Sequence, residues 1–96
     1  MSEIEKLVKV PKEHLNKFDI KQLDSAIYNL FLDYIDGVDI PSVANEVAEI
    51  ENIQQKRVQF SKQSLEYINE MKVELELTLR EIINSAIYSH INNKRL

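Results

Sequence analysis

The sequence predicts a mainly α-helical chain whose C-terminal part is one short strand followed by two helices, with a helical extension before it. Within residues 55–60, Val58 and Phe60 would lie on one side and Gln55, Arg57 and Gln59 on the other, which is typical of a half-buried strand. Apolar residues then recur every three or four positions in two successive runs, as they do along one face of a helix. Two more helical runs precede the strand. We therefore expect residues 1–54 to form an N-terminal extension and residues 55–96 to form a separate module.

The predicted strand has two distinct sides. Val58 and Phe60 would face the core, while Gln55, Arg57 and Gln59 would face outward. The alternative is one continuous helix, because no glycine or proline interrupts residues 42–96. Such a helix would be much longer than the usual length of about 10–14 residues. We therefore favour the strand.

Two helices are expected after the strand, and each has its own start signal. Ser61 and Ser64 offer side-chain oxygens that can cap the first helix. Thr78 and Glu81 have the spacing of a capping box, which predicts that a second helix begins there. The apolar positions of the two helices are Leu65, Ile68, Met71 and Leu75, and then Leu79, Ile82, Ile83, Ala86, Ile87 and Ile91.

This segment resembles the ribbon-helix-helix DNA-binding modules of the MetJ/Arc type. The resemblance covers the last 40 or so residues, and its matching features are the strand Arg57–Phe60, the cap Ser61, the apolar positions Leu65, Ile68 and Met71, Leu77 before Thr78, and the run 82–87. In that family two chains intertwine, and their strands pair into an antiparallel ribbon that enters the DNA major groove. The family often has a glycine between its helices, where this chain has Glu76.

The resemblance implies roles for individual residues. Gln55, Arg57 and Gln59 would contact bases, since arginine can bind guanine and glutamine can bind adenine through two hydrogen bonds each. The expected phosphate contacts are Lys56, Lys62, Thr78, Leu79 and Arg80. Thr78 and Leu79 would lie at the start of a helix, where backbone N–H groups favour anions. The expected dimer core consists of Val58, Phe60, Leu65, Ile68, Ile82, Ile83, Ala86 and Ile87.

The charge of the chain is divided unevenly. The net charge is −4, which by itself is unfavourable for binding DNA. Residues 1–55 contribute −6 and residues 56–96 contribute +2. A local basic patch matters more than the total for steering a protein to phosphate, so this division gives modest support to DNA binding by the second part.

The N-terminal extension should contain helices over residues 20–36 and 41–54. Gly37 is the only glycine, and its place after the first of these helices predicts a C-terminal cap with positive φ. The wide apolar surface of that helix suggests self-association or a protein partner, with Ile27, Leu30, Phe31, Tyr34 and Ile35 as anchors. Equally, the extension could simply pack onto the module and enlarge its core.

Two segments of the chain resemble each other. Residues 24–28 read DSAIY and residues 84–88 read NSAIY, and residues 7–10 alternate before Pro11. A degenerate first copy of the module would explain this similarity. Only residues 12–18 would be available for its first helix, however, so we interpret the similarity as two helices that share good helix-face residues.

The resemblance implies a homodimeric, sequence-specific DNA-binding protein that acts as a small transcriptional repressor or autoregulator, with the choice between a dimer and a higher-order assembly left open. An antitoxin or a plasmid-partition adaptor would use the same module, and an all-helical interaction protein without DNA binding is the alternative class. We expect no enzyme activity, cofactor or metal, because His14 and His90 lack ligand spacing and no catalytic motif is present. The absence of cysteine, of a long apolar run and of a signal-like N-terminus favours a cytoplasmic protein without membrane contact.

Overall fold

The computed structural model describes residues 3–92, in which two strands pair as an antiparallel ribbon and helices cover one side of it. A short 3₁₀ turn, Ile20–Gln22, precedes the second helix. The elements are β1 (Glu3–Pro11), α1 (Lys12–Asn16), α2 (Leu23–Ile35), α3 (Ile40–Ala48), β2 (Ile53–Ser61), α4 (Lys62–Leu75) and α5 (Leu79–Asn92).

The two strands of the ribbon pair over their full length. Glu3 lies opposite Ser61, and Leu7 lies opposite Arg57 at the midpoint of both strands. Beyond the end of β1, the N–H of Lys12 donates to the C=O of Asn52 at 2.8 Å. The alternating pattern of each strand places one set of side chains toward the helices and the other set toward solvent.

The ribbon corrects the predicted fold class. We expected one strand in residues 55–96 and a purely helical extension in residues 1–54. Instead, the first segment begins with β1, and β1 is the partner strand of β2. A lone strand would leave its backbone groups unpaired, so β2 needs a partner strand. The strand that we expected from a second chain is supplied 50 residues earlier in the same chain, so the ribbon is intramolecular.

The order strand, helix, helix occurs twice along the chain. The first helices begin at Lys12 and Lys62, directly after their strands, so the two halves are offset by 50 residues there. Because α1 is shorter than α4, the offset then becomes 60, and the similar segments 24–28 and 84–88 both lie in the second helix of their half. Their similarity therefore marks a structural repeat, contrary to the interpretation that we drew from the sequence.

The core lies between the ribbon and the helices and is built from both halves of one chain. Val8 and Val10 of β1 and Leu23 and Ala26 of α2 are buried in the same cluster as the second half. The residues predicted as a dimer core belong to this cluster: Leu65 is half-buried, and fully buried are Val58, Phe60, Ile68, Ile82, Ile83, Ala86 and Ile87.

The two second helices, α2 and α5, pack against each other in the middle of the structure. Each also contacts the first helix of the opposite half, since α4 packs on α2 and α1 packs on α5. The short α1 covers less of α5 than α4 covers of α2, and α3 packs against α5 as well. The connection between the halves therefore completes the helical layer.

The predicted start signals are confirmed by the hydrogen bonds. The N–H of Ser64 donates to Ser61 Oγ at 3.1 Å, so Ser61 caps α4. In the capping box of α5, the N–H of Thr78 donates to Glu81 Oε1 at 2.8 Å, and the N–H of Glu81 donates to Thr78 Oγ1 at 3.2 Å. These bonds occupy N–H groups that the first turn of a helix otherwise leaves unpaired.

The positive φ predicted at Gly37 is present, and Glu76 adopts one that was not predicted. Gly37 has a φ of +89° after α2, where its N–H donates to the C=O of Tyr34 and the next N–H donates to Asp33. Glu76 ends α4 in the left-handed region, with φ 56° and ψ 44°, although it is not glycine. Two boundaries differ from prediction: α3 ends at Ala48 rather than residue 54, and β2 begins at Ile53.

Among the described residues, none of the helices combines the length and the apolar character needed to cross a bilayer.

Candidate nucleic-acid interface

The side of the ribbon that faces away from the helices carries the predicted base-contacting residues. Gln55, Arg57 and Gln59 are all exposed on β2, and Val58 between them is fully buried. This segment is therefore a strand and not part of a continuous helix, and its side chains face the two sides as predicted.

The other half of this surface comes from β1 and was not predicted. Glu5, Leu7 and Lys9 are exposed and lie directly opposite residues of β2. Leu7 leaves 57% of its surface in solvent, which is unusual for a leucine in a central strand position. The signal in the sequence was the brief alternation of residues 7–10, which is too short to predict a strand alone. We call the six residues Glu5, Leu7, Lys9, Gln55, Arg57 and Gln59 the outer face of the ribbon.

An ion pair joins the two strands across the outer face. Arg57 Nε lies 3.0 Å from Glu5 Oε2. Both side chains are largely exposed, so the pair contributes little to stability. The ion pair holds the Arg57 side chain toward β1 through Nε. The terminal guanidinium nitrogens stay available for other acceptors.

The positive charge of the protein is concentrated in the ribbon and in the first residue of the helix that follows each strand. Residues 3–12 and 53–62 contain six basic and two acidic residues, a net charge of +4. The whole chain carries −4, so the remaining residues sum to −8. Four lysines occupy equivalent positions in the two halves: Lys6 and Lys56 in the strands, and Lys12 and Lys62 at the first helical residue. Lys56 is half-buried, and the other three are exposed.

The predicted phosphate contacts at α5 lie at a helix start with two available donors. Thr78 and Arg80 are exposed and Leu79 is half-buried. The capping box uses the N–H groups of Thr78 and Glu81. Within residues 3–92, the N–H groups of Leu79 and Arg80 have no hydrogen-bond partner. The corresponding helix start of the first half differs, because the carboxylate of Asp19 accepts from the N–H of Lys21 there.

Each second helix holds the ribbon through a side chain of the repeated segment. Asp24 Oδ1 of α2 accepts hydrogen bonds from the N–H of Ser61 at 2.9 Å and from Ser64 Oγ at 2.6 Å. At the equivalent place in α5, Asn84 Nδ2 donates to the C=O of Lys9 at 2.9 Å. The residue of β1 equivalent to Ser61 is Pro11, which has no N–H to donate. Asn84 therefore donates to a backbone carbonyl here, whereas Asp24 accepts from a backbone N–H at the other end. These contacts fix the ribbon against the helices at both ends.

Two grooves flank the ribbon at corresponding places. A groove of about 370 Å³ lies beside the outer face and is lined by Glu3, Ile20, Lys21, Asp24, Arg57 and Gln59. A groove of about 400 Å³ lies at the other end, where α3 and the start of α5 meet Pro11 and Ile53. A further cleft of about 510 Å³, between α2 and the end of α5, contains no strand residue.

Most of the residues predicted to bind a partner through the N-terminal segment are not exposed. Ile27 and Leu30 are fully buried in the common core. Phe31 and Tyr34 are half-buried, and the Phe31 ring stacks on Tyr67 of α4 with 4.4 Å between ring centroids. Only Ile35, which is 60% exposed, presents an apolar side chain to solvent as predicted.

The two histidines occupy structural positions. His14 is buried against Tyr88, with 5.3 Å between ring centroids, and burial lowers the pKa of its imidazole below the ordinary value of 6.5. The hydrogen bond that Tyr88 donates to Glu46 raises the pKa of the tyrosine hydroxyl. His90 Nε2 lies 3.1 Å from Gln22 Oε1. In the described part of the chain, no group of three or more histidine and acidic side chains could hold a metal ion.

Comparisons of the chain with protein-family models, with curated proteins and with solved structures found no match.

Proposed function

We propose that this protein binds duplex DNA as a single chain, by inserting its intramolecular ribbon into the major groove, and that it acts as a small transcriptional regulator. The observation that carries the proposal is the outer face, in which both strands present exposed side chains able to hydrogen-bond to base edges. The helices pack on the opposite side of the ribbon and leave this face free to approach DNA.

The dimensions and the charge of the ribbon support the same proposal. A two-stranded ribbon fits the B-DNA major groove, which is about 12 Å wide. The net charge of +4 is carried by the two strands and the first helical residue after each, which would lie nearest the DNA, while the acidic remainder would lie farther from the phosphates. The unpaired N–H groups of Leu79 and Arg80 add a place for a phosphate beside the ribbon.

The regulatory role rests on the resemblance to ribbon-helix-helix modules. An antitoxin or a partition adaptor would need a protein partner besides DNA. The side chains expected to bind it, Ile27 and Leu30, are core residues instead. Transcriptional regulation is therefore the role that we propose.

The test is fluorescence anisotropy with labelled duplex DNA from upstream of the protein's own gene, at two salt concentrations. The full chain is compared with the Arg57→Ala/Gln59→Ala variant, which removes two predicted base contacts. The Asn69→Ala/Lys72→Ala variant is the control, because it makes the same change in charge on α4, away from the ribbon. Each base contact is worth about 1–3 kcal/mol, so the first variant should bind at least about 30-fold more weakly.

Wild-type affinity should also fall steeply between the lower and the higher salt concentration, since phosphate contacts release counterions. Equal binding by wild type and the ribbon variant would place the DNA contact elsewhere. No binding by the folded chain at low salt would contradict the proposed function.

A further inference from the structure

We propose that the ribbon recognises a non-palindromic DNA site, in which β1 and β2 each read a different half. This inference rests on the proposed DNA binding and adds the kind of sequence that is bound. It starts from the internal symmetry of the ribbon. Because Leu7 pairs with Arg57 at the midpoint of two antiparallel strands, a local two-fold axis passes between these residues. Rotation about it exchanges each β1 residue with the residue 50 positions later.

The side of the ribbon that faces the helices keeps this symmetry at three of its four pairs of positions, the exception being Ile4 and Gln54. Val8 exchanges with Val58, and Val10 exchanges with Phe60, so both halves place apolar side chains in the core. Lys6 exchanges with Lys56, so the charges beside the strands are also equivalent. The ribbon backbone would thus approach the two DNA half-sites in the same way.

The outer face does not keep the symmetry at any of its three pairs of positions. Glu5 exchanges with Gln55, Leu7 with Arg57, and Lys9 with Gln59. Two identical chains cannot present different side chains to the two half-sites, but two strands of one chain can. The same backbone geometry therefore carries two different sets of reading groups.

The chemistry of the two sets predicts different base preferences. On β2, Arg57 can bind guanine and the two glutamines can bind adenine, through paired hydrogen bonds in the major groove. On β1, the exposed Leu7 can pack against the methyl group of thymine, and Lys9 can donate to O6 and N7 of guanine. The two half-sites should therefore differ in sequence.

Glu5 is a positioning residue, and it makes the two halves of the outer face differ further. Its carboxylate lies 3.0 Å from Arg57 Nε and turns the guanidinium toward β1. The symmetric counterpart of this ion pair would join Gln55 and Leu7, which cannot form one. Glu5→Gln should therefore weaken the preference for guanine at the base pair that Arg57 contacts, with little change at the base pairs read by β1.

The experiment is selection of bound sequences from a randomised duplex library by the full chain. We expect a non-palindromic motif, and native mass spectrometry should find one chain per selected duplex. Three synthetic duplexes then compare the selected site with palindromes made from two copies of either half. The selected site should bind at least about tenfold more tightly than either palindrome, since each lost base contact costs about that factor or more.

A symmetrised variant provides the converse test. Glu5→Gln/Leu7→Arg/Lys9→Gln gives β1 the outer residues of β2, and all three positions are exposed, so the core is unchanged. This variant should prefer the palindrome made from the β2 half-site over the selected site. It gains one positive charge, and Glu66→Gln on the exposed side of α4 gives the same gain without touching the ribbon. The control should keep the wild-type preference.

The outcomes separate this inference from the proposed function. Enrichment of a palindrome, or binding without sequence preference, would overturn the inference and leave DNA binding intact. An asymmetric motif whose preference is unchanged in the symmetrised variant would also overturn it. The absence of any enrichment by the folded chain, together with no anisotropy change at low salt, would overturn both.

Discussion

The two halves of the molecule have the same order of elements but different side chains at almost every place where they do not face the core. The first half has a five-residue first helix, whereas the corresponding helix of the second half has 14 residues. The strand ends differ too, with Pro11 before α1 and Ser61 before α4. The comparison teaches that apolar positions at the right period are sufficient for the repeated fold, while caps, helix length and outer-face chemistry can diverge.

The shortening of the first helix is compensated by a segment outside the repeat. α3 packs against α5, the helix that α1 covers only in part, and buries Ile40, Ala44 and Val47. Its start is capped by Asp39, which accepts from the N–H of Ser42 at 3.2 Å. The connection between the halves is thus part of the core and not a free linker.

The largest expected difference between the halves is at the core positions Val10 and Phe60, which are equivalent in the ribbon and fully buried. Phe60→Ala should lower the free energy of unfolding by about 3–5 kcal/mol. Val10→Ala removes less buried surface and should cost about 2 kcal/mol. Urea denaturation followed by circular dichroism measures both. Equal losses would contradict the larger contribution to the core that we expect from Phe60.

The next effect concerns the side chains that hold the ribbon ends. Asp24→Ala removes a charged acceptor from the N–H of Ser61 and from Ser64 Oγ, and should cost about 2–3 kcal/mol. Asn84→Ala removes one neutral hydrogen bond to Lys9 and should cost about 1 kcal/mol. The loss is small because Asn84 Oδ1 is buried without a partner in the described structure. Denaturation curves would contradict this account if Asn84→Ala were the more damaging change.

Smaller effects of opposite sign are expected at the two helix ends with positive φ. Glu76→Gly should raise the free energy of unfolding by about 1 kcal/mol, because glycine adopts the left-handed conformation without steric cost. Gly37→Ala should lower it by about 1 kcal/mol, although a Cβ there would meet no atom within 4 Å. Thermal unfolding should give a higher Tm for the first variant and a lower one for the second. A fall in both would indicate that Glu76 makes a contact through its side chain.

The smallest expected effect is a pH dependence confined to the first half. Burial lowers the pKa of His14 below 6.5, and the equivalent residue of α4 is Ser64, which does not titrate. Nearby, Glu13 opposes this lowering and Lys17 adds to it, both more weakly than burial. As the pH falls below 6.5, the unfolded chain binds a proton that folded His14 does not, so stability decreases until the lower folded pKa is passed.

His14→Leu removes this proton uptake and keeps an apolar side chain against Tyr88. The stability of wild type should fall relative to that of the variant between pH 7.5 and 5.5, as measured by urea denaturation at each pH. His90→Gln is the matched control, because it changes the other histidine at a half-buried site. Parallel pH profiles for wild type and His14→Leu would contradict the assignment.

The second half was predictable from the sequence because its signals are local. Ser61 caps a helix three residues before Ser64, and Thr78 lies three residues before Glu81. The alternation that exposes Arg57 is complete within one strand, so the outer face of β2 was predicted before any partner strand was known.

In the first half, the helices α2 and α3 were predicted, but β1 and its pairing were missed because the evidence for them is either short or distant. The alternation of β1 is clear only over residues 7–10 and is followed at once by Pro11, so it is too short to identify a strand. The pairing of Leu7 with Arg57 joins positions 50 residues apart, and no local pattern reports a contact at that separation.

The covalent connection between the strands has a consequence for a molecule present in few copies. Lys12 to Asn52, 41 residues, join β1 to β2 and also fold against them. Two strands linked in this way meet at an effective concentration of about millimolar or higher, regardless of how dilute the protein is. A ribbon made from two separate chains comes apart on dilution, because its stability depends on the concentration of the chains. Here the formation of the ribbon is a unimolecular step, so a single newly made chain is sufficient to assemble it.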